Sequence, residues 1–200
     1  MSNYILAHGF GFTNDYWRNL KPLLNGNVFY YGDSVDPSKE YIGIGHSLGF
    51  LKLNNSGLKF SRLIGLQGFL NYCGNDDKIS SIMKPQLDEG IQKYKSDYRK
   101  TLKEFYTVCG YLGDVPDSVT REDLLADLEA MKDSYKHCGA DTIIVGTPDD
   151  SVIPSVLIED NFADIDCVEI KMLDLGIGHT LGFNRSEVVL SIIEGAEPPL

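Results

Sequence analysis

The sequence predicts an α/β fold: a mostly parallel sheet with helices on both faces and a small helical lid. Three observations point there. Short apolar runs of strand length recur at 3–7, 28–31, 41–44, 62–66, 140–146 and 168–173. One of them, Tyr41-Ile42-Gly43-Ile44, passes through Gly45-His46-Ser47-Leu48-Gly49 directly into a helical stretch, which reads as strand, tight turn, helix. Between the fourth and fifth runs, residues 82–138 carry two long amphipathic patterns in place of a short connection. The chain of 200 residues fits one domain, 1–200, with residues 70–139 inserted into it as a lid.

Composition narrows the function classes. A formal net charge of −11 argues against a nucleic-acid or membrane-surface binder. No apolar run is long enough to span a bilayer. The chain enters Tyr4-Ile5-Leu6-Ala7 with no basic leader before it, so a cytoplasmic location is expected. The four cysteines, Cys73, Cys109, Cys138 and Cys167, lie far apart and lack metal-ligand spacing. They read as reduced thiols, and neither a metal nor an organic cofactor is expected.

In chain order, the first strand runs into His8-Gly9-Phe10-Gly11-Phe12. A His-Gly after a strand, some forty residues before a Gly-x-Ser-x-Gly turn, is where a second backbone donor to an oxyanion is found. Phe10 would supply that N–H, and His8 reads as a residue that shapes the turn. Asn14–Leu24 looks helical, with Trp17, Leu20 and Leu24 on one face. Gly32–Glu40 is too short and turn-rich for a helix, so the sheet is expected to be a minimal one. Asn54-Asn55-Ser56-Gly57 stops a short helix after the Gly-rich turn, and residues 70–81 read as loop. A long helix then carries Leu87, Ile91, Tyr94, Tyr98, Leu102, Phe105 and Cys109, with Pro85 in its first turn. Thr120 with Asp123 resembles a capping box that opens a second helix through Leu124, Leu128, Met131 and Tyr135. Pro154–Asn161 and Glu187–Ile193 complete the helices.

The chemistry gathers at strand ends. Gly-x-Ser-x-Gly at a strand-to-helix junction is a nucleophile elbow: glycines flank a strained turn that raises Ser47 above the sheet. The helix N-terminus behind it favours a developing negative charge. A serine hydroxyl needs a base, and that base needs a carboxylate. Ser47, then Asp149 or Asp150, then His179 occur in that order, each after an expected strand. Counting three residues from Gly146 selects Asp149, and counting back four from Pro154 selects Asp150. Position relative to the strand favours Asp149.

His8-Gly9-Phe10-Gly11, Gly45-His46-Ser47-Leu48-Gly49, Gly146-Thr147-Pro148-Asp149 and Gly178-His179 resemble the α/β-hydrolase superfamily across nearly the whole chain. Lys84-Pro85-Gln86-Leu87 through Lys100–Cys109 is similar to the lid helix of the pimeloyl-acyl-carrier-protein methyl ester esterases of biotin synthesis. That resemblance implies a minimal α/β-hydrolase fold and a serine carboxylesterase acting on the methyl ester of an acyl chain held by acyl carrier protein. It also implies an oxyanion hole from Phe10 and Leu48 and an acyl channel lined by Phe105, Tyr106 and Cys109. A general carboxylesterase or thioesterase on small acyl esters is the alternative. A non-catalytic binding protein of the same fold is disfavoured by the complete Ser, Asp, His set.

Charge on the lid bears on the partner. Lys93, Lys95, Arg99, Lys100 and Lys103 place five of the eighteen basic residues within eleven positions, against Asp97 alone. Acyl carrier proteins are acidic, so Arg99, Lys100 and Lys103 are expected to contact one. A merely solvated helix face is the competing reading.

Overall fold

Each apolar run read as a strand forms one in the computed structural model, which describes residues 1–199. β1 (Ser2–Ala7), β2 (Gly26–Tyr30), β3 (Glu40–His46), β4 (Lys59–Leu66), β5 (Thr142–Gly146) and β6 (Val168–Met172) build one sheet in the order β2-β1-β3-β4-β5-β6. Every neighbouring pair is parallel. Parallel strands covered on both faces must be apolar throughout, which is why Ile5-Leu6-Ala7 and Thr142–Gly146 are buried without alternation.

The helices that cover the sheet are α1 (Leu48–Asn54), α4 (Ser155–Phe162), α5 (Leu181–Asn184) and α6 (Ser186–Glu194); α2 (Asp77–Cys109) and α3 (Arg121–Ala130) lie between β4 and β5. They take both faces. A side chain at Gly65 would strike Phe50 of α1, and one at Gly146 would strike Ile158 of α4. On the opposite pleat of β4, Leu66 meets Gly182 of α5, and Arg62 reaches the Ile193 carbonyl of α6. Strand order fixes where a site can form. From β1 the chain moves outward to β2, then returns past β1 to β3 and proceeds the other way. The crevice between the C-terminal ends of β1 and β3 is the topological switch point, where open α/β sheets place their ligands.

The insertion is closed at its neck, where the Tyr135 N–H donates to Leu70 O at 3.2 Å. Its first helix begins earlier than Pro85 suggests. Asp76 caps it, accepting from the Lys78 N–H at 2.8 Å, so part of the stretch read as loop is helix and Pro85 lies inside it. At Asp97 the backbone leaves helical geometry (φ −148°, ψ 88°), and its carboxylate accepts from the Lys100 N–H at 3.1 Å. α2 is therefore two helical segments, the second capped by Asp97. The Thr120 cap is present, with the Asp123 N–H on its hydroxyl at 3.2 Å, but α3 ends at Ala130, short of Tyr135.

Asn14–Leu24 is not one helix. It forms two 3-10 turns, Asn14–Trp17 and Lys21–Leu23. Pro22 lacks the N–H that an α-helix would use there. The apolar face is buried as the spacing requires: Trp17 and Leu20 are fully inside. No helix occupies Gly32–Lys39, in keeping with a minimal sheet. Among the described residues no helix is long and apolar enough to cross a membrane.

Candidate active site

Ser47 occupies the turn between β3 and α1 with φ 52° and ψ −123°. That left-handed backbone costs a non-glycine residue about 1–3 kcal/mol and persists only where its surroundings enforce it. They do. The Ser47 N–H donates to Leu66 O at 2.9 Å, and side chains at Gly45 or Gly49 would overlap the Phe50 backbone or the Ala7 carbonyl. Leu48 is the first residue of α1, so its N–H has no intrahelical acceptor. Phe10 lies on the loop after β1, across the switch-point crevice from Ser47.

His179 follows β6 and is held at every polar group but one. Its Nδ1–H donates to Asp150 Oδ2 at 2.7 Å. Its backbone N–H donates to Cys109 O at the end of α2 (3.2 Å), and its carbonyl accepts from His46 Nε2 (2.9 Å). Nε2 of His179 is buried and has no partner among the described residues. Burial, with His179 as the next cause, holds the His46 imidazole well below its ordinary range, so this second histidine is a neutral support. Its ring stacks on Tyr16 with centroids 4.4 Å apart, and a side chain at Gly9 would come within 2.6 Å of its Nδ1.

The carboxylate partner is Asp150, not the expected Asp149. The chain after β5 makes a turn in which the Asp150 N–H donates to Thr147 O at 3.2 Å. Pro148 and Asp149 occupy the two central positions and point to solvent, and Asp150 returns inside. Its Oδ1 accepts the Val152 and Ile153 N–H groups at 2.8 and 3.0 Å, leaving Oδ2 for His179. Proline at the second position of Thr147-Pro148-Asp149-Asp150 is the signal in the sequence that favours this register.

Ser47 and Phe10 line a cavity of about 300 Å³ whose other walls include Phe69, Tyr72, Leu87, Tyr94, Phe105 and Val152. Gln86, Lys93, Thr101 and Glu104 supply its polar lining. The Phe10 ring is held edge-on by Tyr94 and Phe105 of α2, at 5.2 and 5.5 Å between centroids. Burial pushes the Tyr72 hydroxyl up to about 12, and the buried Tyr94 hydroxyl has no partner among the described residues. A second cavity, about 410 Å³ and lined in part by His8, Lys52 and Asp127, excludes Ser47; there Lys52 pairs with Asp127 at 2.9 Å.

Of the three residues expected in the acyl channel, only Phe105 lines the cavity. Successive helical residues turn through about 100°, so Phe105 and Val108 share one face while Tyr106 and Cys109 share the next. Tyr106 donates its hydroxyl to Gly11 O and stacks on Phe12. Cys109 is buried, and its carbonyl holds the backbone of His179. Of the five basic residues expected on that helix face, three are ion-paired. Arg99 pairs with Asp117 at 2.9 Å and Lys103 with Asp114 at 3.0 Å, both on the segment after α2. Lys93 pairs with Glu89 at 2.7 Å. Lys95 and Lys100 have no ion-pair partner among the described residues. Sequence reasoning did not single out the support from His46 or the buried amide of Gln67.

Among solved structures, the fold resembles an esterase from Exiguobacterium antarcticum, with a TM-score of 0.74 at 17% identity over 97% of this chain and 92% of that one. A hydrolase from Oleispira antarctica gives a TM-score of 0.69 at 15% identity, over 98% of this chain and 90% of that one. A carboxylesterase of the thaumarchaeon Nitrososphaera gargenis gives 0.68 at 15% identity, over 97% of this chain and 89% of that one. No protein-family model and no curated protein sequence matches the chain. The six-stranded parallel sheet and these likenesses establish the α/β-hydrolase fold.

Proposed function

We propose that the protein is a serine carboxylesterase working through Ser47, His179 and Asp150. The observation that carries this reading is the buried, unpartnered Nε2 of His179, whose ring is turned and held by Asp150, together with a strained serine, not hydrogen-bonded to that nitrogen, that lines a mostly apolar cavity. A buried nitrogen without a partner costs free energy, and a proton in transit from a serine hydroxyl is what such an acceptor can use.

Ser47 Oγ attacks the ester carbonyl carbon, and its proton passes to His179 Nε2. The carbonyl electron pair moves onto oxygen, which the Phe10 and Leu48 N–H groups receive. The tetrahedral adduct collapses with cleavage of the bond to the alcohol oxygen, and the proton on Nε2 goes to the leaving alkoxide. Water repeats the sequence on the acyl-enzyme: its proton goes to Nε2, and the Oγ–acyl bond breaks as Nε2 returns a proton to Ser47. Asp150 orients the imidazole and stabilises its positive charge at each half-reaction.

The finer reading takes the methyl ester of pimeloyl-acyl carrier protein as substrate. Its supports are the lid resemblance, an apolar cavity able to hold an alkyl chain, and exposed Lys95 and Lys100 beside it on α2. The pairing of Arg99 and Lys103 within the chain leaves that docking face narrower than their number suggests. Two measurements test the levels separately. Purified protein should hydrolyse p-nitrophenyl esters and take up a fluorophosphonate probe at Ser47; Ser47→Ala should do neither, and undiminished turnover by that variant rules out the serine mechanism. Expression should also rescue a biotin-requiring bacterium that lacks its own methyl ester esterase. Hydrolysis without rescue leaves the general carboxylesterase.

A further inference from the structure

Among the described residues, two that are not glycine have positive φ: Ser47 at 52° and Gln67 at 54°. They stand side by side. His46 is in register with Leu66 across β3 and β4, so each strained residue immediately follows its strand. Both backbones are fixed by the next strand, Ser47 N–H on Leu66 O at 2.9 Å and Gln67 N–H on Val145 O at 2.7 Å. Ser47 presents its side chain to the cavity. Gln67 is fully buried and presents its amide to the two loops that carry the other members of the triad.

The amide is used on both sides. Nε2 donates to Gly178 O at 2.7 Å and to Thr147 Oγ1 at 3.0 Å, and Oε1 accepts from the Leu181 N–H at 3.3 Å. Gly178 and Leu181 bracket His179. Thr147 opens the turn that brings Asp150 inward, and its hydroxyl also reaches Gly178 O at 3.4 Å. One side chain therefore ties the end of β4 to the Asp150 loop and to both sides of His179. We propose, building on the serine-hydrolase reading, that Gln67 is the positioning residue that sets His179 against Asp150.

The residue type follows from the sites to be filled. Two acceptors and one donor surround the position, and only a primary amide offers two donors and an acceptor at that reach. A glutamate of the same shape would set a carboxylate against the Gly178 carbonyl. An asparagine is one methylene short. A misplacement of about 1 Å in a catalytic group costs about a hundredfold in rate, so an amide remote from substrate can still govern turnover.

Two substitutions separate positioning from folding. Gln67→Gly removes the amide and relieves the left-handed backbone; Gln67→Glu keeps the size and removes the donors. Folded protein of either kind should lose kcat by about tenfold to a hundredfold with KM changed by less than about twofold. An independent readout needs no turnover: the Nδ1 proton shared by His179 and Asp150 should resonate far downfield in the wild-type proton spectrum, and both variants should broaden or lose that signal. Thr147→Val, which leaves position 67 intact, should give a smaller loss of kcat in the same direction. Wild-type kcat with a sharp downfield signal in folded Gln67→Gly would overturn the proposal, as would full activity of Thr147→Val combined with full activity of Gln67→Glu. If the wild type itself hydrolyses no ester, the serine-hydrolase reading fails, and the proton signal still decides whether Gln67 holds the pair.

Discussion

His179 Nδ1 and Asp150 Oδ2 are 2.7 Å apart and buried, while Asp149, one residue earlier, faces solvent. The contrast makes adjacent aspartates a sharp test. Asp150→Asn should reduce kcat by about three to four orders of magnitude, because an amide can stabilise the wrong tautomer and not the imidazolium. Asp149→Asn should leave kcat within about twofold, as exposed side chains without contacts usually do. Steady-state kinetics on a p-nitrophenyl ester check both, and a larger loss in Asp149→Asn would refute the assignment of Asp150.

The order Ser, Asp, His and the elbow were legible because strand ends and glycine spacing are local properties. The choice between Asp149 and Asp150 was not settled by counting from the strand, since a turn of two central residues decides which side chain faces inward. Tyr106 and Cys109 were misplaced for a related reason. Helical periodicity shows that they share a face, but which face meets the cavity is set by the docking of α2 against the Gly11 and His179 loops. Gln67 and His46 escaped notice because their partners lie 80 to 133 positions away in the chain, where no sequence period reaches.

His46 gives stability a pH dependence. Burial lowers its pKa well below 6.5, so in that window the unfolded chain binds a proton that the folded one refuses. The stability that this group allows is full above 6.5 and is lost as pH falls below it. Melting temperature should therefore drop between about pH 6.5 and pH 5, above the range where Asp36 and Glu187, both lowered, begin to protonate. His46→Gln should flatten that slope. His8 and His137, also lowered by burial, keep it from vanishing. An unchanged slope in the variant would assign the effect elsewhere.

Gly90 tests whether the cavity beside Ser47 holds the acyl chain. It lines the cavity from within α2, and a side chain built there meets nothing within 4 Å. Gly90→Leu should leave the helix at least as stable, since glycine costs about 1 kcal/mol in a helix interior. The added branch would occupy chain volume. Octanoyl esters should lose about tenfold or more in kcat/KM relative to acetyl esters. A parallel change in both would mean that the chain lies elsewhere.

The charges on α2 decide between the two levels of the proposed function. Arg99 and Lys103 are paired with Asp117 and Asp114 and Lys93 with Glu89, so of the five cations at 93–103 those left to meet an acidic carrier are Lys95 and Lys100. Lys95→Glu with Lys100→Glu should raise KM for a carrier-linked ester, by about an order of magnitude at low salt where steering is strongest. Asp114→Asn with Asp117→Asn should act oppositely, because it frees Lys103 and Arg99 to face the carrier. Added salt should shrink both effects. A short p-nitrophenyl ester, which needs no cation to bring it in, should be hydrolysed at the same rate by all four proteins: wild type, the two double variants and their combination. If KM for the carrier-linked ester moves in neither direction, these charges form a solvated face and the substrate is a free ester. If the aspartate variants lose activity on both substrates, the pairs hold the segment after α2 in place, and the lid serves the cavity rather than a partner.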